Sequence, residues 1–533
     1  MKRNNLTTAV VAGLAGVAGL ASVSNATVSL NGDGLGQVLV FPYYTVNNGL
    51  NSLVSIVNTT NQTKAVKVRF LEGKASKEVL DFNLYLSPYD VWTASLSGAD
   101  VNRGPLGIFT SNAAFNVYND NETVVLKTDD TSCTAPQVIN NQQFKPFEFH
   151  NDDANQNNME RSREGHLEVI EMGIVDPLSD HAAWIKHDLD GIPANCTAIQ
   201  NSWFGNPPAN RWRVDPFEDM LDPNFNGGLY GTMAVVDLAR GFAVSYNADA
   251  IQGFQDTVNH TPPGSLFPTI GDTSPSGFGF NSVIFSDGGT VESTWGNGID
   301  AVSALYIHDN IYNDYVITDL LGAYTEWVIT FPTKKFYVDR DYVGAPPIEP
   351  FTTILSTGGA CEPFGGRYWN REEGEPTITS CPPNTIPFFD EDGNLLCITP
   401  PSPEPPPGEI PDAPTLCWET NVVEFSSKDS QLDSAVPSSI LGSTSKRGYF
   451  IGENVTDPDL DTNWATGWVD MSFSQSTSAG VETNSGAVQT YVGLPVTGFA
   501  VQRWHNALAD TLFGTIFKHK GSRNITSATG SNL

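Results

Sequence analysis

Two short runs of strict alternation constrain this chain more than any other feature. In Ala65-Val66-Lys67-Val68-Arg69-Phe70, the apolar Val66, Val68 and Phe70 fall on one side, and Lys67 and Arg69 on the other. In Leu80-Asp81-Phe82-Asn83-Leu84-Tyr85-Leu86, Leu80, Phe82, Leu84 and Leu86 share one side. A period of two marks half-buried antiparallel strands, with one face on a core and one in water. Asn47-Asn48-Gly49 and Glu72-Gly73-Lys74 are turn signals between such strands. A hairpin is expected over 231–246, where Met233 and Val235 precede Ala239-Arg240-Gly241 and Phe242, Val244 and Tyr246 follow it. Glu326–Phe331 reads as a further strand, stopped by Pro332. Helical periodicity is scarce: one turn over Pro216–Leu221 and a short helix over His505–Phe513. With 48 Gly and 35 Pro to supply turns, and 40% hydrophobic residues to supply a core, the expected class is all-β. The expected architecture is an antiparallel β-sandwich in two packed β-rich parts, 27–262 and 263–533, with few short helices.

Residues 1–26 read as a secretory signal peptide: Lys2 and Arg3, an apolar run over Thr8–Ser22, then Ser24-Asn25-Ala26 as small residues at a cleavage site. No later run approaches the ~18 apolar residues of a membrane span. The expected destination is export through an inner membrane to the cell surface or medium, with the periplasm as the alternative. Six cysteines suit an oxidising compartment and allow three bridges. Nearest nesting pairs Cys133–Cys196, Cys361–Cys417 and Cys381–Cys397. No pair has zinc-ligand spacing. The segment 376–414, with Pro400-Pro401 and Pro405-Pro406-Pro407, reads as a stiff, disulfide-stapled insertion in the second part.

A net charge of −32 argues against nucleic acid and against an anionic membrane as partners. There is no Gly-x-Ser-x-Gly elbow, no His-Glu-x-x-His, no P-loop and no dinucleotide fingerprint, so no catalytic residue is assigned. The strand expected at 166–174 sets acids among apolar residues. Glu168 and Glu171 are three apart and point to opposite faces of a regular strand, so they are not a glycosidase pair by themselves. Asp237 is a candidate second carboxylate. Pairing of the two glutamates with Arg161, Arg163 or Arg240 at a sheet edge is the simpler expectation.

Three oxygen-rich loops suggest calcium, which takes about 6–8 oxygen ligands. Their ligands are Asp222, Asn224 and Asn226; Asp390, Asp392 and Asn394; and Asp457, Asp459 and Asp461. None is an EF-hand: Met233 and Trp468 stand where the first and third would need Glu. No motif requires any other cofactor. Trp464 and Trp468 flank Gly467 beside the third loop and are candidates for stacking on a sugar, as loop-borne Trp203 and Trp212 are; Trp92 and Trp327 read as core.

Asp81-Phe82-Asn83-Leu84-Tyr85-Leu86-Ser87-Pro88, Gly165-His166-Leu167-Glu168-Val169-Ile170-Glu171-Met172 and Thr325-Glu326-Trp327-Val328-Ile329-Thr330-Phe331-Pro332-Thr333-Lys334 together carry a resemblance. On them the chain resembles a group of exported, uncharacterised proteins of Gram-negative bacteria. The resemblance implies export and a bacterial source and no activity. The functional expectation is a non-enzymatic structural, surface or adhesion protein. It would present loops or sheet edges to an extracellular protein, to a glycan or to copies of itself, with calcium assisting. A carbohydrate-binding module or carbohydrate-active enzyme using Trp/Asp-rich loops is the alternative.

Overall fold

A computed structural model describes residues 27–98, 123–138, 141–149, 159–225, 227–275, 279–286, 289–318, 321–375, 386–389, 395–398, 414–427, 433–451, 464–474, 476–482 and 486–527. The expected signal peptide lies outside them. So does most of the 376–414 insertion, of which a hairpin of Ile386–Phe389 with Leu395–Ile398 is described.

The protein is an all-β sandwich in which nearly all strand pairs are antiparallel. A sheet of thirteen strands forms the backbone of the molecule. Its central run is Val38–Thr45, Glu164–Val175, Thr63–Glu72 and Glu78–Leu86, side by side. One face of this run packs on a six-stranded sheet that includes Asn51–Asn58, Val91–Gly98 and Leu229–Asp237. Val66, Val68, Phe70, Phe82, Leu84, Leu167 and Val169 meet Val54, Ile56, Trp92, Leu96 and Met233 in the core between them.

A second sandwich packs a five-stranded sheet, centred on Tyr324–Thr330, against a four-stranded sheet of Gly365–Asn370, Thr466–Ser472, Asn310–Val316 and Lys520–Ser522. Trp327, Ile329, Val423, Tyr368, Val469 and Met471 fill that core. Tyr43, Val235, Phe242 and Val244 meet Val328, Val422, Phe499 and Val501 where the two sandwiches join. The large sheet crosses the 262/263 boundary, because Thr27 and Val28 pair in parallel with Asn281 and Ser282. No helix among the described residues is long and apolar enough to cross a membrane.

The alternating runs fold as strands, but they are not half-buried. Every residue of Thr63–Glu72 and of Glu78–Leu86 is buried on both faces. The second face of the large sheet is covered in turn. The helices Asp180–Ile185, Cys196–Phe204 and Arg211–Val214 lie over Ala65, Tyr85 and Met172, and the helix Gly298–Tyr306 lies over Val38, Val40 and Ile170. Lys67 and Arg69 therefore face protein instead of water. Trp203 and Trp212 belong to these covering helices and are buried, not loop-borne.

The hairpin over 231–246 forms with Val235 opposite Val244. The helix expected over His505–Phe513 does not form. That stretch is the hairpin end of Thr497–Asn506 and Thr511–Lys518, turned at Asp510 with φ 48°. Cys133–Cys196 and Cys361–Cys417 are disulfide-bonded. The pairing expected for Cys381 and Cys397 lies outside the described side chains.

Candidate functional site: an aromatic face on the second sandwich

The four-stranded sheet turns one face to its core through Tyr368, Val469, Met471, Ile311 and Tyr315. Alternation sends their sequence neighbours to the other face. Arg367 and Trp369 come from one strand, Trp468 and Asp470 from the next, and Tyr312 and Asp314 from the third. Register aligns them in rows. Trp369 stands opposite Trp468, and Trp468 opposite Asp314; Arg367 stands opposite Asp470, Asp470 opposite Tyr312, and Tyr312 opposite Lys520.

The two indoles stack with centroids 4.1 Å apart and planes 13° from parallel. Tyr312 tilts against Trp468 at 6.3 Å. The Arg367 guanidinium lies 5.1 Å from the Trp369 ring and pairs with Asp470 at 3.2 Å. Asn310 donates to Asp470, and the Trp369 indole N–H donates to Glu375. Trp468 stays 39% exposed, the largest exposure of any tryptophan among the described residues. Gly467 makes this close approach possible: a Cβ there would sit 1.9 Å from the Trp369 carbonyl oxygen.

Each indole spends one ring face on the other, so the pair offers a small, part-exposed apolar patch, and Arg367, Asp470, Asn310 and Asp314 supply donors and acceptors at its rim. That combination matches a pyranose ring, which has an apolar C–H face and a hydroxyl edge.

Of the two tryptophans expected at this site, the structure keeps one. Trp464 is 3% exposed and packs edge-on to Tyr368 at 5.3 Å inside the core. Trp369, Tyr312, Arg367 and Asp470 are missed by the sequence reading. The alternation of Arg367-Tyr368-Trp369-Asn370 is the signal that could have found them.

Among the calcium candidates, Asp222 accepts from the Val258 N–H at 3.0 Å, and the Asn224 amide donates to the Asp222 carbonyl at 3.0 Å. Asn224 thus engages its own loop, and Asp222 ties that loop to the segment at Val258. Asn226, Asp390, Asp392, Asn394, Asp457, Asp459 and Asp461 lie outside the described residues. Among the described residues no three His, Cys, Asp or Glu side chains form a group fit to hold a metal.

Glu168 and Glu171 are ion-paired, but with other partners than expected and in the middle of the sheet, not at an edge. Glu168 meets Arg69 at 2.7 Å, and Glu171 meets Lys64. Arg161 is bound to Glu72, Arg163 bonds Asn47 and the Val46 carbonyl, and Arg240 pairs with Asp237. Asp237 lies in the six-stranded sheet and joins neither glutamate. Burial pushes Glu171 up to about 7, against the pull of Lys64. These carboxylates are wholly enclosed, which fits ion pairing in a core. An open trough of about 740 Å³ lies elsewhere, on the outer six-stranded face, lined among others by Ser55, Thr93, Ser95, Thr232 and Ser245.

Fold and site together define an all-β sandwich protein with a part-exposed aromatic face on its second sandwich. Comparison with protein-family models, curated proteins and solved structures finds no match.

Proposed function

We propose that this is an exported, non-enzymatic surface protein that binds a glycan through the Trp369–Trp468 face. The observation that carries the reading is the stacked, part-exposed indole pair rimmed by Arg367 and Asp470. The leader-like residues 1–26, the acidic composition and the two disulfides support export to an oxidising space. The acidic loops around Asp390 and Asp457 give calcium a place in holding the glycan or the loops themselves.

A glycan array with the mature chain, with calcium and with chelator, tests this, followed by calorimetry on the best ligand. Trp468→Ala and Trp369→Ala are expected to weaken binding about tenfold or more each, consistent with ~1.5 kcal/mol per stacked aromatic. Binding that survives both substitutions, or an array with no ligand, overturns the reading.

The edge strand Thr511–Lys518 favours a second reading, adhesion by strand addition, because its Phe513 and Phe517 side chains are exposed. Concentration-dependent self-association that Phe513→Lys abolishes would favour that reading over the first.

A further inference from the structure

The strands Thr63–Glu72 and Glu78–Leu86 enclose an amine against a carboxyl group. Lys67 is fully buried, and its Nζ bonds Asp81 of the neighbouring strand. The two sit on a cross-strand diagonal, since Lys67 stands opposite Asn83 and Arg69 opposite Asp81. Asp81 is 6% exposed, and Glu78 of the same strand is 1% exposed.

A full ammonium fits this position poorly. It carries three N–H donors, and among the described residues Asp81 alone accepts from it. Burial lowers the Lys67 pKa from its ordinary value, against the pull of Asp81 and Glu78, which favours the free, nucleophilic amine. Burial also holds Glu78 above the usual carboxyl range, against the pull of Arg69 and with Asp81 adding to the rise. Arg69 occupies Glu78 Oε2 at 2.7 Å and leaves Oε1 to carry a proton. On the far side the Gly264 N–H donates to Asp81 Oδ2 at 3.0 Å, where charge develops when a nucleophile adds to that carboxyl group.

Asn83 adds an independent observation. Its amide nitrogen donates to the Thr261 carbonyl at 2.9 Å, but its buried Oδ1 has no partner among the described residues. A buried acceptor left without a donor is costly. A secondary amide at Lys67 Nζ has one N–H to give, and Asn83 Oδ1 stands opposite to accept it. The amide also replaces two buried charges by a neutral group and removes their desolvation cost.

We propose that Lys67 and Asp81 are joined by an isopeptide bond that the folded chain forms by itself, with Glu78 relaying the proton and the Gly264 N–H steadying the carbonyl oxygen. The Lys67 ammonium hands one proton to Glu78. The free amine attacks Asp81 Cγ; a C–N bond forms and one C–O bond breaks. The departing oxygen leaves as water, taking the proton from Glu78 and a second from the attacking nitrogen. Glu78 returns to its starting state, and no oxidant or cofactor is consumed.

The test is mass spectrometry of the purified mature chain with its disulfides reduced. The expected mass is one water below that of the sequence. Trypsin should yield one joined species made of 65–69 and 78–103, because an acylated Lys67 is no longer a cleavage site. Lys67→Arg should restore the full mass. Glu78→Gln, shown to be folded by circular dichroism, should leave most chains unjoined. A native chain of full sequence mass, a water lost at any other pair, or joining as complete in folded Glu78→Gln as in the native chain overturns the proposal. The mass is indifferent to Trp369 and Trp468, so the glycan reading and this one fail separately.

Discussion

Replacing Arg69 by Met should destabilise the protein by an amount that depends on pH. Arg69 is fully buried and holds two carboxylates, Glu78 and Glu168, each at 2.7 Å. Removing one partner of a buried pair costs ~3–5 kcal/mol, because it leaves an uncompensated buried charge. The variant has one escape, which is to take up protons on those carboxylates. Relative to an unfolded Glu near ~4.3, that route costs ~1.4 kcal/mol for each pH unit above it. It therefore costs ~1 kcal/mol per carboxylate at pH 5 and ~4 kcal/mol at pH 7.5. The sign follows: without Arg69 the folded carboxylates bind protons more tightly than the unfolded ones, so the variant loses stability as pH rises through that window. Urea unfolding of the mature protein with disulfides intact, followed by circular dichroism, should show a loss of ~3–5 kcal/mol at pH 7.5 and ~1–2 kcal/mol at pH 5. Adding Glu78→Gln and Glu168→Gln should recover most of the loss at pH 7.5. A loss below ~1 kcal/mol at pH 7.5, or equal losses at both pH values, would refute the argument.

Three further outcomes are expected. His166 is fully buried with neither ring nitrogen bonded, and burial holds it at about 3, below its unfolded value, so the unfolded chain takes up the proton first and stability drains as pH falls from ~6.5 toward 3. His166→Leu should reduce the slope of stability against pH in that window by up to ~1.4 kcal/mol per unit in acid titrations of urea midpoints; an unchanged slope counts against it. Replacing Cys133 and Cys196 by Ser opens a link across 63 residues, and the chain-entropy cost is ~4 kcal/mol, read as a lower urea midpoint that a reductant no longer shifts at this bridge. At Gly165 a Cβ would fall 2.0 Å from the Leu71 carbonyl oxygen, between the paired strands, so Gly165→Ala should cost ~3 kcal/mol or more or prevent folding, seen in soluble yield and thermal midpoint.

The strands and their core face are legible because alternation is a local property: Val66, Val68, Phe82 and Leu84 declare their side without any knowledge of the rest of the chain. What covers the other face is not local. Lys67 and Arg69 look like solvent residues until their carboxylate partners are placed, with Gly264 bonded to Asp81 beside Lys67 and with Lys335 and Tyr342 near Arg69. The same limit explains the aromatic face. Trp464 and Trp468 have the same parity, yet the strand begins only at Thr466, so parity says nothing about Trp464 and it turns into the core. Trp369 lies roughly a hundred residues earlier and is joined to Trp468 only by cross-strand register. The stretch 505–513, expected as a short helix, contains the helix-favouring Leu508, Ala509 and Leu512. Long-range pairing of Thr497–Asn506 with Thr511–Lys518 overrides that local propensity.

The buried charges have a consequence for how the central strands find their register. An apolar face specifies a strand only to within two residues, since a slip of two sets Val66 where Val68 stood and keeps every hydrophobe inward. Charged partners remove that ambiguity. In the native register Arg69 stands opposite both Glu168 and Asp81, and Lys67 pairs with Asp81. A slip of two against Glu164–Val175 would set Arg69 opposite His166-side or Ile170-side positions, with Glu168 left buried and unpaired. At ~3–5 kcal/mol for an uncompensated buried charge, each slipped register is disfavoured by more than the apolar face alone could supply. The alternating runs thus carry two signals at once: valine, leucine and phenylalanine choose the face, and lysine, arginine and their acids choose the neighbour. Replacing Arg69, Glu78 and Glu168 together by Met, Leu and Leu should therefore keep stability while loosening register, read as faster amide exchange across 63–86 than in the native protein; unchanged exchange would assign register to packing alone.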